Sequence, residues 1–255
     1  MTTIIAIGIQ KGGTGKSTTT VNLGAALVEA GRRVLLVDMD PQASCTAALG
    51  FDLAQVNPSI ADVLADGMAH PLQGVVLATG VPGLELAPAH LNLAALEATL
   101  LSEFRREDRL KTALQGLPKP GYDYVLIDCP PSLTLLTVNV LNAARWVLVP
   151  LLCHALSLQA LPPFLTVVEK VRRSLNPNLA VMGLLPSIYD SRTKEQQSLL
   201  AELQAHWSGR VFPPIRASTR VAEASHHGVS LLQYKPRSPV ADAYRHLAQE
   251  VMAYD

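Results

Sequence analysis

Continuous apolar runs, without polar alternation, occupy residues 2–9, 33–38, 124–128 and 146–151. That pattern predicts parallel strands buried on both faces. Weaker runs at 84–88 and 181–185, and the pair Val211–Phe212, read as short strands. Between them the apolar positions fall at helical spacing. Residues 17–30 form a helix pattern with Val21, Ala25, Leu27 and Val28 inward, stopped by Gly31. Further helices are predicted at 91–101, 105–114, 163–175, 193–206 and 240–252, the last with Val240, Tyr244, Leu247, Ala248 and Val251 on one face. Residues 43–80 read as short helices, one at 60–64, and connections; Pro118, Pro120 and Gly121 mark a turn. No repeat, low-complexity tract or linker interrupts the pattern. The expectation is a single α/β domain over 1–255, with a mostly parallel twisted sheet flanked by helices on both faces.

Composition changes this picture little. The 255 residues are 49% hydrophobic and only 5% aromatic, which suits an aliphatic α/β interior better than a β-sandwich. Formal net charge is zero, so nothing global points to nucleic acid. Its distribution is uneven: ten Lys/Arg face thirteen Asp/Glu through residue 165, and eleven face eight beyond it. The C-terminal third is thus mildly basic, a hint of a polyanion-facing surface. Cys45, Cys129 and Cys153 are odd in number, far apart and outside any C-x-x-C, so they read as buried thiols of a reducing cytosol. No apolar run reaches the ~18 residues of a membrane span. The chain opens directly into a strand, so neither a signal peptide nor an N-terminal helix-turn-helix domain is expected. A soluble, cytoplasmic protein follows.

The chemistry concentrates at residues 9–19, I-Q-K-G-G-T-G-K-S-T-T, between the first strand and the first helix. Strand, glycine-rich loop and helix in that order cradle phosphate, which makes the expected fold that of a P-loop NTPase. Gly12, Gly13 and Gly15 let backbone N–H groups turn inward on an anion, and the helix adds the positive end of its dipole. Residues Lys11, Gly12, Gly13, Thr14, Gly15, Lys16, Ser17 and Thr18 are the nucleotide-binding candidates. Lys16 should reach the β- and γ-phosphates, and the Ser17 hydroxyl should ligate Mg²⁺. The usual phosphate-loop pattern begins with glycine where this chain has Gln10, and it carries a second lysine, Lys11, on the loop's entry side. Badly placed for the phosphates of its own loop, Lys11 suits a nucleotide on a neighbouring subunit. Asp38, Asp40 and Asp128 lie at or just beyond carboxyl ends of strands, the edge where open α/β sheets put ligand chemistry. Asp128 is assigned to hold Mg²⁺ through water, Asp40 to orient the attacking water, and Asp38 to the magnesium shell or to structure.

The stretches Q-K-G-G-T-G-K-S-T-T, V-L-L-V-D-M-D-P-Q and Y-V-L-I-D-C-P-P-S resemble the deviant-Walker ATPases, specifically the ParA/Soj partition group. Residues 135–141, 188–193 and 220–224 are similar to later motifs of that group. The resemblance implies a slow ATPase using ATP and Mg²⁺ that forms an ATP-dependent sandwich homodimer, binds DNA without sequence preference and is nucleoid-associated. It implies that Lys11 reaches the partner's ATP, that Gly12 stays small so the subunits can approach, and that Asp40, with Lys11 and Lys16, serves hydrolysis. It places Arg192, Arg216 and Arg220 near DNA phosphates. It also implies a ParB-like partner with a basic N-terminal tail that stimulates hydrolysis and frees the dimer, so partitioning a chromosome, plasmid or other cargo. Departures fall outside the phosphate chemistry: the Arg220 loop has one arginine missing or shifted to Arg216, Gln159, Pro162 and Pro163 alter a helix entry, and Ala43-Ser44-Cys45 follows Asp-Pro-Gln. A MinD-like membrane-surface ATPase is the alternative; it needs a basic amphipathic C-terminal helix, whereas residues 247–255 are acidic. A redox relative such as the nitrogenase iron protein needs two suitably placed cysteines per chain.

Overall fold

Every continuous apolar run is a strand of one seven-stranded sheet. The strands are β1 (Thr3–Ile7), β2 (Val34–Asp38), β3 (Leu77–Ala78), β4 (Leu84–Ala87), β5 (Tyr124–Asp128), β6 (Trp146–Leu151) and β7 (Ala180–Pro186). The computed structural model describes residues 2–66, 69–119 and 121–254. Pro120 of the predicted turn, residues 67–68 of the stretch 43–80 and Asp255 lie outside the described residues.

The sheet order is β3-β4-β2-β5-β1-β6-β7, parallel except at the antiparallel edge pair β3–β4. Alternate strand positions feed two separate cores, which is why the runs carry no polar alternation. Leu35, Val37, Val125 and Ile127 face one core, covered by helices Asn92–Leu100, Arg109–Gln115, Leu135–Ala143, Leu161–Ser174 and Lys194–His206. Val34, Leu36, Tyr124 and Leu126 face the other, covered by Lys16–Glu29, Leu231–Tyr234 and Pro239–Met252. Helix Lys16–Glu29 is sandwiched between sheet and C-terminal helix, so ten of its residues are buried rather than one stripe. It also lies close to the sheet: a Cβ on Gly24 would stand 2.8 Å from the Leu36 side chain.

The C-terminal helix buries Val240, Tyr244, Leu247, Ala248 and Val251, the predicted stripe, and Arg245 ties it to Glu29 at 2.6 Å. Its apolar face is therefore committed to the core and not to a lipid surface. Among the described residues no helix is long and apolar enough to cross a membrane.

Several elements depart from expectation, among them helices Thr219–His226 and Leu231–Tyr234, which fall where no helix was expected and the first of which carries Arg220. β3 is a two-residue edge strand, too short to carry a period. Val211–Phe212 is not a strand: Val211 makes only an isolated bridge to Leu184, and Phe212 plugs the core. Helix Leu135–Ala143 escapes a pattern reading because Asn139 and Asn142 interrupt its apolar face. Both are buried, their amides donating to the carbonyls of Arg106 and Glu107 at 2.8 Å each; the Asn139 Oδ1 accepts the Leu110 N–H at 3.2 Å, whereas the Asn142 Oδ1 has no partner among the described residues.

Register sets the site. Asp128 on β5 pairs with Ile7 of β1 on one side and Asp38 of β2 on the other. The loop leaving β1 and the two strand-end carboxylates consequently share one end of the sheet.

Candidate nucleotide site

Past Ile7 the chain turns through the glycine loop into helix Lys16–Glu29. Gly13 and Gly15 have φ of 73° and 83°, the left-handed region that side chains resist, so these two positions require glycine locally. Gly15 is the residue preceding the helix and has no side chain with which to cap it. The first-turn N–H groups are left for an anion, as phosphate binding needs. Thr14 is buried and its carbonyl accepts the Ser187 hydroxyl at 2.8 Å, which fastens the loop to the end of β7. Ser17 and Thr18 are half-buried in the first turn.

Both lysines of the loop are held within the chain. Buried Lys16 donates from Nζ to the Lys11 carbonyl at 2.9 Å, an interaction a phosphate oxygen would replace. The Lys11 Nζ turns away and donates to the Ser157 hydroxyl at 2.9 Å.

The three carboxylates separate by environment. Asp128 is fully buried, and neither of its oxygens has a hydrogen-bond partner among the described residues. Burial, then the Asp38 charge, pushes its pKa well above the ordinary carboxylate range; the Ser17 hydroxyl and Lys16 ammonium pull it down without closing a hydrogen bond. A buried carboxylate this poorly served fits a cation, and Ser17 beside it supplies the hydroxyl oxygen that Mg²⁺ favours. Asp38 differs. Its Oδ2 accepts the Thr46 N–H at 2.9 Å and hydroxyl at 2.8 Å, and its Oδ1 accepts the Asp40 N–H at 3.1 Å. Of the two roles the sequence leaves open for Asp38, this geometry serves the structural one: it folds residues 38–46 around itself. Burial still raises its pKa, to about 6, against those hydrogen bonds. Asp40 accepts the Gln42 N–H on Oδ1 at 3.0 Å, and its Oδ2 has no partner among the described residues. That free oxygen leaves it the carboxylate able to engage a water.

Thr46 is the joint of this arrangement, since its Oγ1 also accepts the Ala89 N–H at 3.1 Å. Thr46→Val removes the hydroxyl and leaves a buried carboxylate oxygen and a buried N–H short of a partner. A loss of about 3 kcal/mol in denaturant unfolding is expected.

Sequence reasoning misses two features of this region. A pocket of about 240 Å³ opens beside Gly15 and Thr18, lined by Ser187, Ile188, Ile215, Ala217 and Val221 among others. Ile188 is half exposed and has φ 53°, an unfavourable conformation for a β-branched side chain. The signal available was an isoleucine in the turn after β7. The second is a groove of about 740 Å³ lined by Arg216, Arg220, Lys235 and Arg237. Arg220 is paired with Glu223 at 2.6 Å, and Arg192, elsewhere, with Asp190 at 2.8 Å; Asp190 is held down to about 2 by that pairing. Arg216, Lys235 and Arg237 have no carboxylate within 4 Å among the described residues. Arg216, Ala217 and Ser218 line both pockets. Cys45, Cys129 and Cys153 are buried, and no cluster of three metal-ligating side chains occurs among the described residues. Burial pushes the thiol pKa of all three up, Cys153 to about 11.

A phosphate loop leaving β1, with an unsatisfied aspartate at the end of the neighbouring central strand β5, defines a P-loop nucleoside triphosphatase. The AAA-domain family AAA_31 matches residues 2–181. The sporulation initiation inhibitor protein Soj of Bacillus subtilis is 42% identical over 98% of each chain. The chromosome partitioning protein ParA of Caulobacter vibrioides is 41% identical over 98% of this chain and 94% of its own. The chain belongs to the ParA/Soj family of partition ATPases. A solved structure of cobyrinic acid a,c-diamide synthase from Mycobacterium smegmatis, with bound ATP analog and magnesium, superposes with a TM-score of 0.87. It shares 38% identity and covers 100% of this chain and 96% of that one.

Proposed function

We propose that this ATPase is a switch that dimerises face to face on ATP, binds DNA without reading its sequence, and is reset by hydrolysis. Residues 11–18 would hold the phosphates of ATP, and the pocket at Ile188 and Ile215 would take its base. Ser17 and Asp128 would hold Mg²⁺, which supplies charge neutralisation on the phosphate oxygens. Lys16 binds the phosphates of its own chain, Lys11 those of the partner, and Asp40 orients water.

One observation carries the dimer reading. Gly12 is exposed, lacks the positive φ of Gly13 and Gly15, and a Cβ there would meet nothing within 4 Å. Nothing among the described residues demands glycine at 12. A requirement for a small residue would therefore come from a second molecule, against the same surface from which Lys11 departs. Lys11→Ala should accordingly spare monomeric ATP binding and lose the dimer.

The DNA reading is supported by the unpaired cations of the 740 Å³ groove. These support contacts at Arg216, Lys235 and Arg237 beyond the arginines 192 and 220, whose charges are offset within the chain. Two hydrogen-bonded loops also connect the phosphate loop to the groove: Ser187 holds Thr14, the Ala217 N–H donates to the Tyr189 carbonyl at 3.0 Å, and residues 216–218 line the groove. Lys235→Ala/Arg237→Ala should weaken ATP-dependent retention on mixed-sequence DNA and lower the slope of log affinity against log salt by about 2. An unchanged slope would exclude these residues from the DNA face. Partition of a chromosome, plasmid or other cargo on the nucleoid, with a ParB-like partner stimulating hydrolysis, completes the proposal.

A further inference from the structure

We infer that Ser157 is a positioning residue for Lys11, holding it inside its own chain until a partner subunit competes for it. The inference rests on the reading of Lys11 as acting across the dimer. Ser157 lies in the short helix Ala155–Leu158 beyond the end of β6, fully buried, its N–H donating to the His154 carbonyl at 2.8 Å. Its hydroxyl oxygen accepts the Lys11 Nζ at 2.9 Å. No carboxylate lies within 4 Å of that ammonium among the described residues, so one neutral hydroxyl holds it.

Lys11 is pinned a second time through its backbone, where its carbonyl accepts the Lys16 Nζ at 2.9 Å. The two pins release in order. Phosphate bound to the same chain draws Lys16 off the Lys11 carbonyl, and phosphate of a partner's nucleotide draws the Lys11 ammonium off Ser157. Phosphate is much the stronger acceptor for an ammonium, so the hydroxyl sets a threshold and does not block assembly. Each protomer gives up one such bond on dimerisation, so the threshold counts twice in the dimer constant. A second chain whose loop is empty offers no phosphate to offset the loss of that bond.

The test is sedimentation of the full chain with Mg²⁺ and a non-hydrolysable ATP analogue across a range of protein concentrations. Ser157→Ala is expected to dimerise at roughly tenfold lower concentration than wild type, with monomer affinity for the nucleotide unchanged. Ser157→Cys, which keeps the shape with a weak acceptor, should move in the same direction, and Ser157→Thr, which restores the hydroxyl, should return toward wild type. A serine with only a structural role would, when truncated, leave the dimer unchanged or weaken it rather than strengthen it. If Lys11→Ala abolishes the dimer while Ser157→Ala dimerises at the wild-type concentration or above it, Ser157 does not restrain Lys11. If Lys11→Ala dimerises like wild type, the reading of Lys11 across the dimer fails, and this inference fails with it.

Discussion

Lys16→Ala is expected to abolish ATP turnover, with hydrolysis falling roughly 100-fold or more. The reason lies in where the ammonium sits. Lys16 is buried, it is held by a carbonyl of the same loop, and its charge is one of two influences that lower the Asp128 pKa. Its removal takes this buried cation from the cradle and leaves Asp128 with less support for its ionised form. Nucleotide affinity, measured with a fluorescent ATP analogue, and phosphate release should both collapse while far-ultraviolet circular dichroism stays native. Phosphate release at the wild-type rate would contradict the placement of the γ-phosphate at Lys16.

Asp40→Ala should behave differently. ATP binding survives, hydrolysis falls by about 100-fold, and the protein accumulates on DNA as a dimer that does not reset. The substitution removes the free Oδ2 at a cost of one loop hydrogen bond, that from the Gln42 N–H. The contrast with Asp38 is informative, because Asp38 accepts three hydrogen bonds that fold residues 38–46. Asp38→Ala should therefore lose stability along with activity, whereas Asp40→Ala should lose activity alone. Single-turnover hydrolysis and thermal unfolding on the two variants separate these outcomes. Wild-type hydrolysis by Asp40→Ala would show that another group orients the water.

Much of this site was legible before any coordinates, for a physical reason. Buried parallel strands must be apolar throughout, so a terminal aspartate such as Asp128 stands out against its strand. Glycines and Lys-Ser at the next junction then identify a phosphate loop. Proximity in space without proximity in sequence was not legible. Thr46 completes Asp38, Ser187 fastens Thr14 across 173 residues, and Ser157 holds Lys11 across 146. Nothing in the sequence around a serine or threonine announces such a bond. The basic groove was hidden for another reason: of the arginines that the resemblance placed near DNA, Arg220 is offset by Glu223 one helical turn on, while Lys235 and Arg237 come from a different segment. Short elements were also lost, β3 for want of length and helix Leu135–Ala143 because two buried asparagines break its apolar stripe.

The central claim is that ATP, and not ADP, brings two chains together into a DNA-binding form. Its most direct measurement is the solution mass of the wild-type chain with Mg²⁺ and a non-hydrolysable ATP analogue, set against ADP, each followed by retention on mixed-sequence DNA. A dimer retained on DNA in a salt-sensitive way with the ATP analogue, and a freely eluting monomer with ADP, is the expected result. The same mass and the same DNA retention with both nucleotides would contradict it.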